Sequence, residues 1–365
     1  MRKQGIHIGF DAKRYFQNKT GLGNYSHHII DGLASLFPDL KISLFSPRNE
    51  QSAHTLVAPR VSNFMAKFWR ISGMVHEKSF KQLDIYHGLS NELPWRRTKV
   101  KTVVTIHDII FKHLPNTQHP INRWIYDFKT YRSCKIADKI IATSEYTKKD
   151  LVKFYKVNPD KIDVVYQDCH PQFYDFDPNN DIRNKYKIPN PYILCVGTIE
   201  SRKQQLLLLK AFSNLDFAGD LVLVGKKTKD FIPILAELHK SEDLLKRVHI
   251  LENVAFEDLP ALYGNALLFA YPSVCEGFGI PILEAMNIGT AVITTQSTVM
   301  EEVGADAVAY YQKYTQHSLE KNIQLLIDNP ARRQELIQKG KERALLFRKE
   351  KNLPQLLEIY TNLCL

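Results

Sequence analysis

The chain has few cysteines and no long apolar stretch, and both absences exclude broad classes of protein. Its cysteines are odd in number and never spaced as Cys-x-x-Cys, which argues against a disulfide framework and against a zinc site. No apolar run approaches the ~20 residues of a membrane span, and the N-terminus enters a strand without the apolar core of a signal peptide. The sequence therefore predicts a cytoplasmic protein. The cysteines are Cys134, Cys169, Cys195, Cys275 and Cys364.

The length and charge of the chain limit its architecture and its partners. At 365 residues it exceeds what one hydrophobic core usually serves, so two domains are expected. The net charge of +10 predicts anionic partners such as nucleotide phosphates or acidic lipids. The basic residues are dispersed and form no helical stripe, so the sequence favours a membrane over nucleic acid.

One segment, residues 266–289, organises the rest of the sequence. Ala266–Tyr271 is a continuous apolar run typical of a buried parallel strand, and Pro272 ends it because proline has no N–H. Pro281 suits a first helical turn and Gly289 a helix end, so we predict a helix over Ile280–Ile288. The glycine loop before it would let a ligand approach the backbone, and the helix N-terminus would attract an anion.

Two carboxylates, Glu276 and Glu284, flank this loop with seven residues between them. A carboxylate accepts two hydrogen bonds from a vicinal diol such as a ribose, while backbone N–H groups bind phosphate. One short segment could then hold a nucleoside diphosphate and the sugar attached to it. The alternative is that Glu276 is a solvated loop residue and that Glu284, in the first turn of the helix, only complements its dipole.

Arg202 and Lys203 form a cationic pair at the start of a second predicted helix. Pro191–Gly197 is predicted to be a strand and Gln204–Phe212 a helix. Cations oppose the dipole at a helix start, so a bound diphosphate would explain the pair. Solvated surface charge is the alternative.

The first half of the chain repeats this strand, loop and helix pattern. Ile6–Phe10 reads as a strand and Thr20–Tyr25 as a glycine turn, either phosphate-binding or a plain connection. The strand over Thr102–Asp108 ends in the pair His107 and Asp108, which would face the ligand crevice because strand ends do so in parallel sheets. A satisfied structural histidine is the alternative.

The segment Phe64–Ile71 alternates large apolar and cationic residues at roughly helical spacing. This pattern is typical of a helix lying in a membrane surface, or of an ordinary amphipathic helix packed on its own sheet.

The motifs together resemble those of the retaining, metal-independent GT-B glycosyltransferases of family GT4. The shared features are the E-x7-E signature in CEGFGIPILEAM, the strand-glycine loop with Arg202 and Lys203, and the loop and helix beginning at Asn253. The resemblance implies an α/β fold with two Rossmann-like doubly wound domains facing across a cleft. It would assign residues 1–170 to an acceptor domain, 171–190 to a linker, 191–345 to a donor domain and 346–365 to a helix returning to the first domain.

The resemblance also implies roles for individual residues. Arg202 and Lys203 would hold the leaving phosphates, Glu276 would orient the sugar, and His107 would contact the sugar from the first domain. Thr198 stands where many members have an arginine, which leaves more of the phosphate to Arg202 and Lys203. The implied donor-binding residues are Gly23, Val254, Gly277, Phe278, Gly279, Ile280 and Glu284.

The activity implied by the resemblance is transfer of a hexose, such as mannose, from a nucleotide sugar to a glycan or lipid-linked acceptor. The donor would be a co-substrate, with no cofactor and no metal, and the protein would work at the inner face of the cytoplasmic membrane. The other hypothesis is a non-catalytic sugar-nucleotide-binding or scaffold protein with the same fold. The sequence leaves open the base, the sugar, the acceptor and the linkage.

Overall fold

The computed structural model describes residues 5–18, 21–48, 51–58, 68–96, 98–115, 119–175, 182–189, 191–296, 298–312 and 314–365. The chain divides into two compact units. Residues 1–168 and 347–365 form the first unit, and residues 169–346 form the second.

The first unit is built on a seven-stranded sheet in which every strand pair is parallel. The strands are apolar because both faces of the sheet are covered. They are β1 (His7–Asp11), β2 (Lys41–Phe45), β3 (Thr55–Val57), β4 (Ile85–Gly88), β5 (Lys101–Ile106), β6 (Lys139–Ala142) and β7 (Ile162–Val164). Their order across the sheet is β3-β2-β1-β4-β5-β6-β7.

Helices connect these strands, as parallel pairing requires. Ser144 caps the helix that begins at Glu145, because its Oγ accepts a hydrogen bond from the N–H of Thr147 at 3.0 Å. The described α-helices of this half are α1 (Lys13–Gln17), α2 (Gly21–Leu36), α3 (Lys78–Lys81), α4 (Ile110–His113), α5 (Pro120–Ile136) and α6 (Glu145–Tyr155). Short turns of 3-10 or π type cover Trp69–Gly73, Met74–His76 and Pro159–Lys161.

The predicted glycine turn over Thr20–Tyr25 is wrong, because α2 already begins at Gly21. Thr20 lies outside the described residues. Gly23 is therefore inside the first helical turn, where a Cβ would come within 1.7 Å of the Asn18 carbonyl oxygen. The glycine is needed for this close approach of two backbone segments.

The predicted membrane segment Phe64–Ile71 is described only in part. Residues 64–67 lie outside the described residues. Trp69 is buried in the core of the first unit and donates its Nε1–H to Glu77 at 2.9 Å, whereas Phe68 is exposed. The described part therefore includes a core residue and is not a continuous exposed apolar face.

The second unit repeats the design with six parallel strands. These are β8 (Tyr192–Val196), β9 (Asp220–Val224), β10 (Val248–Leu251), β11 (Leu268–Tyr271), β12 (Val292–Thr295) and β13 (Ala309–Tyr311). Their order is β10-β9-β8-β11-β12-β13. The order reverses between β8 and β11, and ligands bind at such a switch point in open α/β sheets.

The helices of the second unit pack around this sheet. They are α7 (Ile182–Lys185), α8 (Gln205–Phe212), α9 (Phe231–Leu238), α10 (Glu242–Arg247), α11 (Leu259–Gly264), α12 (Ile280–Ile288), α13 (Thr298–Gly304), α14 (Gln316–Asp328) and α15 (Pro330–Ala344). Turns of 3-10 type cover Pro171–Phe173, Ser201–Lys203, Phe256–Asp258 and Leu345–Phe347.

The predicted linker, residues 171–190, packs onto the second unit where it is described. Residues 176–181 and 190 lie outside the described residues. Phe173 is fully buried, and Lys185 Nζ and Tyr186 OH each donate to Asp258 Oδ2 at 2.6 Å. The described part of this segment is therefore folded structure of the second unit.

The C-terminal helix, Lys349–Cys364, belongs to the first unit, as the sequence predicted. It packs on α2, where Leu353 fills the space left by the missing side chain of Gly32. Tyr360 is fully buried and its hydroxyl lies 2.5 Å from Nδ1 of His87 on β4. Among the described residues, no helix is long and apolar enough to cross a membrane.

Candidate active site

Two loops of the second unit meet at the carboxyl ends of β8 and β11, the neighbouring strands at the switch point. The loop after β8 carries Arg202 and Lys203, and the loop after β11 carries Glu276. A backbone hydrogen bond of 2.9 Å from the N–H of Val274 to the carbonyl of Arg202 joins the loops. Side chains separated by more than seventy residues in sequence are therefore held together.

A single oxygen of Glu276 receives four donors. Arg202 Nη1 lies 2.5 Å from Oε1, Lys203 Nζ 3.2 Å, Tyr271 OH 2.8 Å and Ser273 Oγ 2.8 Å. Burial disfavours the charge on Glu276, but Lys203, Arg202 and the two hydroxyls outweigh it and lower its pKa to about 2. Glu276 is therefore ionised at neutral pH and its carboxylate orientation is fixed.

The second oxygen of Glu276 has no hydrogen-bond partner within the described part of the chain. The Glu276 side chain is 12% exposed, and Oε2 is not a buried polar atom cut off from solvent. Because Oε1 is fully occupied, Oε2 is the atom that a ligand hydroxyl could reach.

Arg202 is held by three acceptors and keeps part of its guanidinium available. Its Nε donates to Glu200 Oε2 at 2.9 Å, and its Nη1 donates to the Cys275 carbonyl at 3.0 Å as well as to Glu276. Burial disfavours its charge, but the Glu276 carboxylate outweighs that effect and raises the pKa of Arg202. Among the described residues, Nη2 has no partner.

Lys203 is buried, and Gly197 makes room for it. A Cβ at Gly197, whose φ is +143°, would lie 2.9 Å from Lys203 Nζ. The ammonium group donates to Tyr271 OH at 2.9 Å and lies 4.9 Å from the centre of that ring. With Glu276 as its second partner in the described part of the chain, one ammonium proton is left for a ligand.

Glu284 lies on α12, whose predicted bounds Ile280–Ile288 are confirmed. The helix begins after Gly279 and ends before Gly289, both with positive φ, of 98° and 91°. Glu284 is its fifth residue, so the predicted place in the first turn is wrong. Its Oε2 instead accepts a hydrogen bond of 2.8 Å from Tyr263 OH.

The environment of Glu284 differs from that of Glu276. Burial raises its pKa to about 7, against the smaller opposing effects of the Tyr263 hydrogen bond and of Lys203. The two glutamates of the motif therefore have separate properties: one is permanently ionised and the other titrates near neutral pH.

Four of the other predicted donor residues lie between these two carboxylates along the chain, whereas Val254 lies elsewhere in the second unit. Gly277 and Gly279 are in the loop before α12, and Ile280 is its first residue. The Phe278 side chain is buried in the protein, so only its backbone could meet a ligand. Val254 is partly exposed in the loop after β10, the edge strand, and follows Asn253 with a φ of +56°.

His107 belongs to the first unit and directly follows β5, which ends at Ile106 and not at Asp108 as predicted. Its Nε2 lies 2.8 Å from the Leu89 carbonyl oxygen, which can only accept, so the proton is on Nε2. Burial lowers the pKa of His107 to about 4 despite the opposing Leu89 hydrogen bond. The imidazole is thus neutral at pH 7, with an acceptor lone pair on Nδ1.

The backbone and ring of His107 are fixed by neighbouring side chains. Asn91 Oδ1 accepts from its N–H at 3.1 Å, and Thr143 and Thr147 donate to its carbonyl. Tyr25 packs edge-on against the ring, with 4.6 Å between ring centres. A ligand would therefore meet a preset side chain.

Several hydroxyl and carboxylate groups that hold the site were not predicted from the sequence. Tyr271 and Ser273 bind the same oxygen of Glu276, Tyr263 binds Glu284, and Glu200 binds Arg202. Their position in the sequence could have indicated two of them, because Tyr271 and Ser273 flank the proline that ends the predicted strand.

A cavity of about 590 Å³ lies beside the loop after β8. Glu200 and Ser201 line it, but its lining residues include none of the predicted donor-binding residues. The carboxylate cluster is therefore a better candidate site than this cavity. In the described part of the chain, no group of three or more His, Cys, Asp or Glu side chains could hold a metal ion.

Two family models match successive parts of the chain. The model described as Glycosyltransferase Family 4 matches residues 20–167, and the one described as Glycosyl transferases group 1 matches residues 178–343. The chain is therefore built from two glycosyltransferase domains, one described by each model. The two matches fall on the first and second units respectively, apart from the C-terminal helix.

Similar proteins include two O-antigen enzymes. The O-antigen chain mannosyltransferase B of Escherichia coli is 33% identical over 233 residues, which are 61% of this chain and 60% of that protein. The O-antigen chain mannosyltransferase RfbU of Salmonella typhimurium is 29% identical over 228 residues, 62% of this chain and 61% of that protein. The matched region thus spans about three fifths of each relative.

The fold of this chain is that of solved GT-B structures. Anabaena HepE in complex with UDP-glucose has a TM-score of 0.76 at 16% identity, with 98% of this chain and 100% of that chain covered. The two parallel-sheet α/β units predicted from the sequence are confirmed.

Proposed function

We propose that this glycosyltransferase moves a hexose, with mannose the first to test, from a nucleoside diphosphate sugar to a glycan or lipid-linked acceptor during surface polysaccharide synthesis. The observation that supports it most is the Glu276 carboxylate at the switch point, held by Arg202, Lys203, Tyr271 and Ser273. The two O-antigen mannosyltransferases among its relatives favour mannose and a surface glycan.

Arg202 and Lys203 would stabilise the leaving diphosphate. Negative charge grows on the leaving oxygen as the bond to the anomeric carbon breaks. Glu276 already neutralises part of the cationic charge, so the phosphate would bind the remaining donors, Nη2 of Arg202 and the third ammonium proton of Lys203. One well-placed donor to such an oxyanion contributes roughly 3 to 4 kcal/mol.

The carboxylates would orient the sugars of the donor. Oε2 of Glu276 would accept from a hydroxyl of the transferred hexose, and Glu284 would accept from the ribose diol. His107 would accept from a sugar hydroxyl through Nδ1, since its Nε2 proton is already donated. Gly23 and Val254 would contact the phosphate and the base.

The proposed reaction retains the anomeric configuration and needs no metal. The bond between the anomeric carbon and the phosphate oxygen breaks, and a bond forms from that carbon to the acceptor oxygen on the same face. The acceptor proton passes to the leaving phosphate, so the products are a glycoside and a nucleoside diphosphate. In this scheme no carboxylate of the chain becomes a nucleophile.

A donor panel tests the activity directly. The purified protein is incubated with GDP-mannose, UDP-glucose and UDP-N-acetylglucosamine, and release of nucleoside diphosphate is measured with and without a lipid-linked glycan acceptor. Turnover with one donor, stimulated by acceptor, is the expected result. Nucleotide binding without turnover of any donor would favour the scaffold hypothesis instead.

Replacing Lys203 by alanine is expected to lower kcat/KM at least tenfold, about 1.4 kcal/mol, because one phosphate donor is lost. The measurement is steady-state release of nucleoside diphosphate. Lys240→Ala is the control, since Lys240 is paired with Glu237 on the surface of the second unit. Kinetics unchanged from wild type would remove Lys203 from the proposed site.

Chelation of metal ions is expected to leave the rate within twofold of the untreated enzyme, because cationic side chains provide the positive charge that balances the phosphate. The rate is measured after dialysis against EDTA and again after adding Mg2+ or Mn2+. A strict requirement for either ion would contradict the proposed mechanism.

A further inference from the structure

Helix α5 of the first unit exposes large apolar side chains and buries small polar ones. A surface helix normally does the opposite. Thr130, Ser133 and Cys134 form its buried face. Five large side chains lie on the opposite face at helical spacing, and we call them the α5 stripe: Ile121, Trp124, Ile125, Phe128 and Tyr131, exposed by 63%, 67%, 38%, 43% and 42%.

The α5 stripe continues into a neighbouring exposed tryptophan. Trp124 and Phe128 are stacked with 5.9 Å between ring centres, and Trp95 packs edge-on against Phe128 at 6.2 Å. The guanidinium of Arg132 lies 5.5 Å from the Trp95 ring centre. Contiguous exposed apolar surface of this kind marks an interaction site.

A basic pocket adjoins the end of the stripe. It has a volume of about 440 Å³, and its lining includes Tyr131 and the lysines Lys135, Lys156 and Lys161. Among the described residues that line it, none carries a carboxylate side chain. Lys161 Nζ is held over the pocket by the carbonyls of Cys134 at 2.8 Å and Lys135 at 3.1 Å. Lys135 and Lys156 are exposed.

We propose that the α5 stripe and this lysine pocket dock the first unit on an anionic lipid surface. Aromatic rings favour the boundary between headgroups and acyl chains, and lysines bind lipid phosphates. Charge selects this occupant over a second copy of the chain, because two such surfaces would bring six lysines of like sign together. The contact differs from the predicted segment Phe64–Ile71.

Docking is independent of the proposed transfer reaction and can be measured without donor or acceptor. The probe is flotation of the full chain with vesicles of phosphatidylcholine, with or without 30% phosphatidylglycerol by composition. Binding to the anionic vesicles, weakened by salt, is expected. Failure to float with them at low salt would overturn docking and leave the donor-panel result unaffected.

Two pairs of matched variants locate the contact. Trp124→Ser/Phe128→Ser is expected to lower the vesicle partition coefficient at least tenfold. Its control is Ile232→Ser/Leu235→Ser on α9, where the exposed fractions are a similar 69% and 42%. Equal losses in the variant and the control would overturn the assignment to α5.

Lysine variants test the pocket. Lys135→Gln/Lys156→Gln is expected to lower partitioning about thirtyfold, since each lysine near an anionic surface contributes roughly fivefold. The control Lys240→Gln/Lys246→Gln removes the same charge from the second unit and should lower partitioning at most about tenfold. If inorganic phosphate binds the pocket while anionic vesicles do not, the ligand is a soluble anion and the proposal is wrong.

Oligomeric state and tryptophan fluorescence complete the test. Brominated lipid is expected to quench the wild-type emission, because Trp95 and Trp124 are exposed whereas Trp69 is buried. This readout needs no variant, so it remains valid if a substitution unfolds the protein. A wild-type dimer that Trp124→Ser/Phe128→Ser converts to a monomer would instead assign the stripe to a second copy.

Discussion

Replacing Glu276 by glutamine is expected to lower kcat/KM about a thousandfold, roughly 4 kcal/mol, while nucleoside diphosphate affinity does not fall. The amide keeps the shape of the side chain but loses the charge that orients the sugar and positions Arg202 and Lys203. Lys203 then loses its carboxylate partner and Arg202 keeps only Glu200, so a bound diphosphate would supply the missing counter-charge. Steady-state kinetics and calorimetric titration with the diphosphate measure both effects.

Glu335→Gln is the matched control, because Glu335 also lies between an arginine and a lysine, Arg332 at 2.6 Å and Lys339 at 3.2 Å, but on the exposed surface of α15. Removing one partner of a buried ion pair costs about 3 kcal/mol or more, so the Tm is measured as well. If Glu276→Gln does not fold, Tyr271→Phe removes one hydroxyl from the same oxygen with all charges kept. A kcat/KM within tenfold of wild type for Glu276→Gln would contradict the proposed role.

Between pH 5 and pH 8, the affinity of the wild type for the donor's nucleoside diphosphate is expected to rise. This increase should be about a hundredfold larger than the increase measured for Glu284→Gln over the same range. The ribose diol needs two acceptor oxygens, which only the ionised carboxyl offers, and the pKa of Glu284 is about 7 in the free protein. Each pH unit below that value therefore costs about tenfold. The variant shares the titration of the phosphate, so the difference isolates Glu284.

The free protein should show the reverse dependence on pH. The pKa of Glu284 is raised from 4.5 to about 7 by folding, so the folded state binds this proton more tightly than the unfolded chain. Its stabilising contribution is complete below pH 4.5 and is lost as the pH rises through 7, about 3 kcal/mol in all. The Tm of the wild type should fall relative to Glu284→Gln over that range. Parallel Tm curves for the two proteins would contradict the raised pKa.

Local sequence signals predicted the elements that have strong chemical boundaries. Pro281 and Gly289 located α12 to the residue, because proline fixes a helix start and glycine adopts the left-handed conformation after its end. The family resemblance implied that Arg202, Lys203 and Glu276 serve one donor, and the structure brings them together because the loops after the adjacent strands β8 and β11 meet. The prediction of a turn from Gly21 and Gly23 failed, since glycine is also tolerated in a first helical turn.

Other features depend on packing that a single sequence does not encode. The hydroxyls of Tyr271, Ser273 and Tyr263 bind their carboxylates only because register and loop closure bring them there. The helix periodicity of residues 120–136 gives a stripe but not the side that faces solvent, so the exposure of Trp124 was not predicted. The raised pKa of Glu284 likewise follows from burial and not from spacing.

The C-terminal helix has a consequence for how the protein is made. Leu353 and Tyr360 complete the core around α2 and β4, yet they are translated only after the whole second unit. During synthesis the core of the first unit stays incomplete while the whole second unit is translated, and Ile29 and Ile30 of α2 remain partly exposed to solvent. A nascent chain lacking residues 347–365 is therefore expected to be a substrate for chaperones and proteases even when its second unit has already folded.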